Sequence, residues 1–100
     1  MDYRLVSLDG RYERKLTTHE CKTIFREALR HGWRPSARHL RNGTLLLEPE
    51  FDGSEAQQLA TAIERSIPMM TSVSPPLVVT MLESISVLRR GGARFQRLGE

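Results

Sequence analysis

Three helix-start signals set the frame into which this 100-residue chain must fold. Thr17-Thr-His-Glu20 and Asp52-Gly-Ser-Glu55 both have the capping-box form, in which a short polar side chain and an acid three residues on satisfy each other's backbone amides. Ser74-Pro75 puts a capping side chain before a proline at the first helical position, where the missing N–H costs nothing. Behind the first signal, Cys21, Ile24, Phe25, Ala28 and Leu29 recur at helical spacing and predict a helix over 18–31, stopped by His31 and Gly32. Behind the second, Ala56, Leu59, Ala60, Ile63 and Ile67 predict a helix over 53–67, with Phe51 placed as a hydrophobic staple and Pro68 as the stop. Behind the third, Leu77, Val78, Met81, Leu82, Ile85 and Leu88 form the core face of a helix over 76–90, broken by Gly91-Gly92. Residues 68–76 are the linker.

Strand-like stretches fill the gaps. Tyr3–Leu8 and Arg11–Leu16 flank Asp9-Gly10, a hairpin signal in which both turn positions want positive φ. A second extended stretch, Trp33–Arg41, leads to Asn42-Gly43 and a half-buried strand over 44–48 that ends at Pro49. Residues 93–98 alternate and suit a last strand, with Phe95 on one face. The predicted order is β-β-α-β-β-α-α-β. Hairpins and helices in this succession favour an α+β two-layer sandwich with an antiparallel-rich sheet and three helices over a doubly wound sheet.

One hundred residues make one α+β domain, 1–100, with a single core. The helical faces and strand alternation use most of the apolar residues, so little is left for an apolar ligand cavity. Cys21 is the lone cysteine, which excludes an intrachain disulfide and any benefit from an oxidising compartment. No apolar run approaches the roughly 18 residues of a membrane helix. The first residues lack the apolar stretch of a signal peptide, so the cytoplasm is the expected location. The composition fits a bacterial or phage source.

Gly32-Trp33-x-Pro35, a strand-turn-strand, and then Phe51-Asp-x-x-Glu-Ala56-x-x-Leu59-Ala60-x-Ala62-Ile63-Glu64 form a pattern. It resembles one in small uncharacterised bacterial α+β proteins, where GW-x-P precedes a V-S-x-x-D-A-x-x-L-A-x-A-L-E helix. Leu88-Arg-Arg-Gly-Gly-Ala-Arg-Phe95 is similar to their closing R-R-G-G-F-x-I element, with Ala93 where an aromatic is more usual. The resemblance covers about two thirds of the chain and implies the fold. It implies no catalytic residue, because no activity is known for that group.

Catalytic and metal chemistry find little footing. His19 and Cys21 stand about 200° apart on a helix and cannot share one ion, and His31 and His39 lie far along the chain. Cys21 sits in a first helical turn, where a thiol is activated, yet on the apolar stripe, where burial silences it. Nucleophile-elbow, phosphate-loop and zincin motifs are missing. Glu48, Glu50 and Asp52 read as a solvated loop before a helix N-terminus. The sequence therefore assigns no catalytic residue, cofactor or metal ligand.

Charge is the informative remainder. Ten of the fifteen Lys and Arg residues fall within positions 1–41, against five acids, while 48–64 holds five acids and no base. Lys22, Arg26 and Arg30 stand at i, i+4 and i+8 on the first helix, a spacing that costs stability through like-charge repulsion. Arg34 and Arg38 are expected to extend this ridge. These five residues are the candidate partner-binding surface, suited to a protein with an acidic face. The expected role is a non-catalytic binding or regulatory protein, inhibitor- or immunity-like, acting by steric occlusion with electrostatic steering. The alternative is an accessory nucleic-acid-binding protein using the hairpin around Arg11, Tyr12, Arg14 and Lys15 with Arg89, Arg90, Arg94 and Arg97. Val79 and Val87, expected on the polar side of the third helix, and Met69-Met70 leave a homodimer open.

Overall fold

Each capping box turns a strand directly into a helix. The structure, a computed structural model, describes residues 2–70 and 74–98. Strands β1 (Asp2–Ser7) and β2 (Glu13–Thr17) form the opening hairpin. The Thr17 hydroxyl then accepts the Glu20 N–H at 3.1 Å while the Glu20 carboxylate accepts the Thr17 N–H at 2.8 Å, starting α1 (Thr18–Arg30) with no intervening linker. β3 (Leu40–Arg41) and β4 (Thr44–Leu45) form a separate small ribbon. β5 (Glu50–Asp52) feeds α2 (Gly53–Ser66) through the second box, where Asp52 and Glu55 exchange bonds of 2.8 and 2.9 Å. Ser74 caps α3 (Pro75–Leu88), and β6 (Gly92–Arg97) completes the main sheet.

That sheet runs β2-β1-β6-β5, every pair antiparallel. Leu5, Leu16, Phe51, Ala93 and Phe95 point from it into one core with Ile24, Phe25, Leu59, Ile63, Met81 and Leu88 of the three helices. The alternate strand residues lie on the other face, where the Arg4 guanidinium donates to Gln96 at 2.6 Å and to Glu13 at 3.1 Å. The protein is therefore an α+β domain with three helices layered on an antiparallel sheet.

Four expectations change. Asp9 does not adopt positive φ; among the described residues only Asn42 does so without being glycine. A five-residue connection replaces the two-residue turn, and the Asp9 carboxylate accepts from the Ser7 hydroxyl at 2.6 Å and the Arg11 N–H at 3.0 Å. Asn42-Gly43, with φ of 53° and 78°, does make the tight turn. Residues 33–41 are not a strand: they carry a single 3-10 turn (Ala37–His39), and pairing starts only at Leu40. The strand expected over 44–48 shrinks to Thr44–Leu45, and the main-sheet strand from this region is β5, beyond Pro49. Phe51 is accordingly a fully buried strand residue, touching Phe25, Trp33 and Phe95.

The fourth change is the rotation of α3. Leu82 is 51% exposed, whereas Val87 is buried. A polar tether sets this face. Buried Thr80 takes a 3.0 Å bond from the Arg14 guanidinium on β2 and lies 3.2 Å from the Glu20 carboxylate on α1. Ser84, also buried, donates back to the Thr80 carbonyl. Apolar periodicity carries no information about that anchor. The linker expected over 68–76 falls in part on residues 71–73, outside the described residues.

Candidate partner-binding groove

Along α1, Cys21, Phe25 and Leu29 repeat every four residues and form one wall of an open groove of about 560 Å³. The opposite wall is Leu45-Leu46-Leu47, delivered by the small ribbon, and Tyr3 of β1 also lines it. The lining is overwhelmingly apolar. Leu29 is 42% exposed and Leu47 62% exposed at the lips of the groove, while Cys21 and Phe25 are buried at the base of the α1 wall, where they also belong to the core. Lys22, Arg26 and Arg30, each one position on from a wall residue, form a cationic rim over about 12 Å of helix.

A buried acid organises that rim. Glu27 is buried, with the Arg30 guanidinium bonded to it at 3.2 Å and Arg26 at 3.6 Å. His31 stands 4.0 Å from its other oxygen. Both arginines nonetheless stay mostly in solvent, at 60% and 69%. Three cations against one carboxylate leave the rim positive, and Lys22 has no ion-pair partner among the described residues.

Arg34 and Arg38 do not extend the ridge. The helix stops at Arg30, and Gly32 at φ 97° turns the chain away, so four-residue spacing no longer means a common face. Arg34 folds back and donates to the Leu29 and Trp33 carbonyls at 3.0 and 2.7 Å, capping the helix it was expected to prolong. It faces a different, polar groove shared with Gln58 and Arg65. Arg38 forms a two-pronged ion pair with Glu55 at the start of α2. That guanidinium, with the Asp52 amide, holds the Glu55 carboxyl down at about 2.

The same corner contains a Ser-His-Glu grouping that the sequence did not single out. The Ser36 hydroxyl lies 2.9 Å from His39 Nδ1 and 3.3 Å from Glu55 Oε2. His39 is buried, its ring 4.4 Å from that of Phe51, and its Nε2 is 2.8 Å from the Glu50 carbonyl. With Nε2–H donating to that carbonyl, Nδ1 is an acceptor for Ser36. Both ring nitrogens are thereby occupied, Nε2 in tying this segment to β5 and Nδ1 in a local bond with Ser36. The adjoining cavity is about 30 Å³, room for one water but not for a substrate. Burial pushes the Cys21 thiol up to about 12, against nucleophilic use. Among the described residues no three His, Cys, Asp or Glu side chains are grouped to hold a metal ion, and no helix is long and apolar enough to cross a membrane.

The groove escaped sequence reasoning because its walls lie about twenty residues apart. One signal was present: three consecutive leucines, 45–47, cannot all face inward from a strand whose sides alternate. Comparison with protein-family models, curated proteins and solved structures gives no match for this chain.

Proposed function

We propose that this protein is a non-catalytic binding module of the cytoplasm, which occupies an acidic surface of a partner protein through the groove between α1 and the Leu45–Leu47 segment. The observation that carries this reading is the coincidence of an open apolar groove with a row of cations. Apolar lining supplies affinity, and the rim supplies steering and selects against basic competitors. Lys22, Arg26 and Arg30 do this work; Arg34 and Arg38 serve the fold instead.

The nucleic-acid alternative draws less support. Arg14 is tied to Glu83 at 3.0 Å, Arg89 to Glu64 at 3.1 Å, and Arg90 lies 4.3 Å over the Tyr12 ring, covering the most exposed aromatic of the opening hairpin. Phe25, Trp33, Phe51 and Phe95 are buried and offer no base a stacking platform. A second copy as partner would draw on Val79 and Leu82, exposed together on α3, with no cationic row beside them.

The test uses side chains that hold nothing else in place. Reversing Arg26 or Arg30 would strand buried Glu27, so the informative variant is Lys22→Glu with Leu47→Ser. A partner co-purified from source cells and identified by mass is titrated against wild-type and variant protein. The expected result is at least about tenfold weaker binding by the variant, with wild-type affinity falling as salt is raised. Unchanged affinity and no salt dependence overturn the reading.

A further inference from the structure

The shape of the groove narrows what it takes. Cys21 and Phe25, buried at the base of the groove, continue into exposed Leu29 as one row along α1, and the rim residues Lys22, Arg26 and Arg30 form a parallel row, each stepping four residues, or about 6 Å. A ligand matching both rows needs apolar groups and acids in parallel lines at the same pitch. An α-helix with apolar residues at i, i+3 or i+4, and i+7, and acids one position round, presents that pattern.

Backbone chemistry points the same way. Phe25 and its neighbours come from the middle of α1, whose N–H and C=O groups bond within the helix. This wall has no backbone edge to pair with an extended peptide. A helix lying against it needs no backbone partner from this wall, because its N–H and C=O groups bond within itself. The groove lies open between exposed Leu29 and Leu47 instead of closing into a tunnel, which suits a rod laid along it more than a single acyl chain threaded inside.

Building on the binding role assigned above, we infer that the groove docks an acidic amphipathic helix of two to three turns, its apolar stripe between α1 and Leu45–Leu47 and its Asp and Glu residues against Lys22, Arg26 and Arg30. Docking runs parallel or antiparallel to α1, and the rim fixes which side of the incoming helix is acidic.

The probe is a synthetic 14-residue peptide with leucine at positions 3, 7, 10 and 14 and glutamate on the flank beside them. Its binding to the intact protein is followed by fluorescence anisotropy and by far-ultraviolet circular dichroism, at two salt concentrations. Two peptides of the same length serve as controls: one with the same composition but leucines at alternate positions, the other with lysine in place of glutamate. The expected outcome is micromolar binding with gain of helix, at least about tenfold weaker for either control. Lys22→Glu with Leu47→Ser loses the binding, with an unchanged far-ultraviolet spectrum for the protein itself. Equal binding of the alternating peptide overturns the helix assignment. Absence of binding by every peptide at millimolar concentration also overturns it. So does saturable binding to anionic phospholipid vesicles while the helical peptide stays unbound. These failures are separable from failure of the binding role, which the partner titration reads independently.

Discussion

Replacing Gly92 by alanine should be among the most damaging single-methyl changes available in this chain. Gly92 opens β6 at φ 115°, a region that residues with a side chain rarely enter. A Cβ built there falls 2.8 Å from the Phe51 carbonyl oxygen, 2.8 Å from Leu8 Cδ1 and 3.1 Å from the Asp52 carbonyl carbon. Leucine can swing aside; the β5 backbone cannot, because Asp52 pairs with Gly92 and caps α2 in the same residue. Backbone strain costs about 1–3 kcal/mol and forcing atoms into a packed site about 1–3 kcal/mol more, so the expected loss is about 2–6 kcal/mol. That is a large share of the ~5–15 kcal/mol that holds a domain together. Gly91 supplies the control. It sits at φ 88° but a Cβ there meets nothing within 4 Å, so Gly91→Ala should suffer the strain term alone. Urea unfolding of both variants, fitted with a common m-value, isolates the steric term as their difference. If Gly92→Ala proves no less stable than Gly91→Ala, the claim that β5 and β6 meet through a space only glycine leaves is wrong.

Phe51 is fully buried against three aromatic rings, and Phe51→Ala should cost about 3–5 kcal/mol by chemical denaturation; a loss below about 1 kcal/mol would mean β5 does not belong to the core. Glu55, held at about 2 chiefly by the Arg38 hydrogen bonds, contributes stability that is complete above its ordinary value of 4.5 and is lost as pH falls from there towards 2. Glu55→Gln, which can still accept the Asp52 amide, should therefore flatten the thermal-midpoint profile across that acid window while leaving the capped helix intact by circular dichroism; an unchanged slope refutes the assignment. Cys21, its thiol raised from 9.0 to about 12 by burial, should react with a thiol reagent at pH 8 only at the rate at which α1 opens, and rapidly in urea; equal rates in both would refute its burial.

The sequence announced the helices through their caps, because a capping box is local: its partners are three residues apart and no distant contact can substitute for them. Thr17, Asp52 and Ser74 start the helices as read. What lay between 33 and 52 was harder. Extended composition there suggested two ordinary strands, yet two-residue pairings leave no alternation to detect, and β5 is a strand only because Gly92, forty residues on, lets its backbone pass close by. The rotation of α3 was hidden for a related reason: Thr80 and Ser84 are buried for their hydroxyls, which hydropathy scores as exposed. Of the four arginines and one lysine offered as a surface, the three on one helix stay together because helical spacing is itself geometry. Arg34 and Arg38 follow the helix stop, where spacing in sequence no longer fixes direction in space.

The middle of the main sheet has a consequence for the order of assembly. β1 lies between β2 and β6, with Tyr3 opposite Leu16 on one side and Arg97 on the other. Its first neighbour is available as soon as the hairpin is synthesised, but its second comes some eighty positions later. A chain still emerging from the ribosome can make the hairpin and the three capped helices, yet must carry one flank of β1 unzipped until β6 arrives. Protection against hydrogen exchange of the β1 amides that face β6 should therefore come late in refolding, after that of α1 and of the β1 amides that face β2, and anything that binds extended polypeptide during synthesis has its opening there.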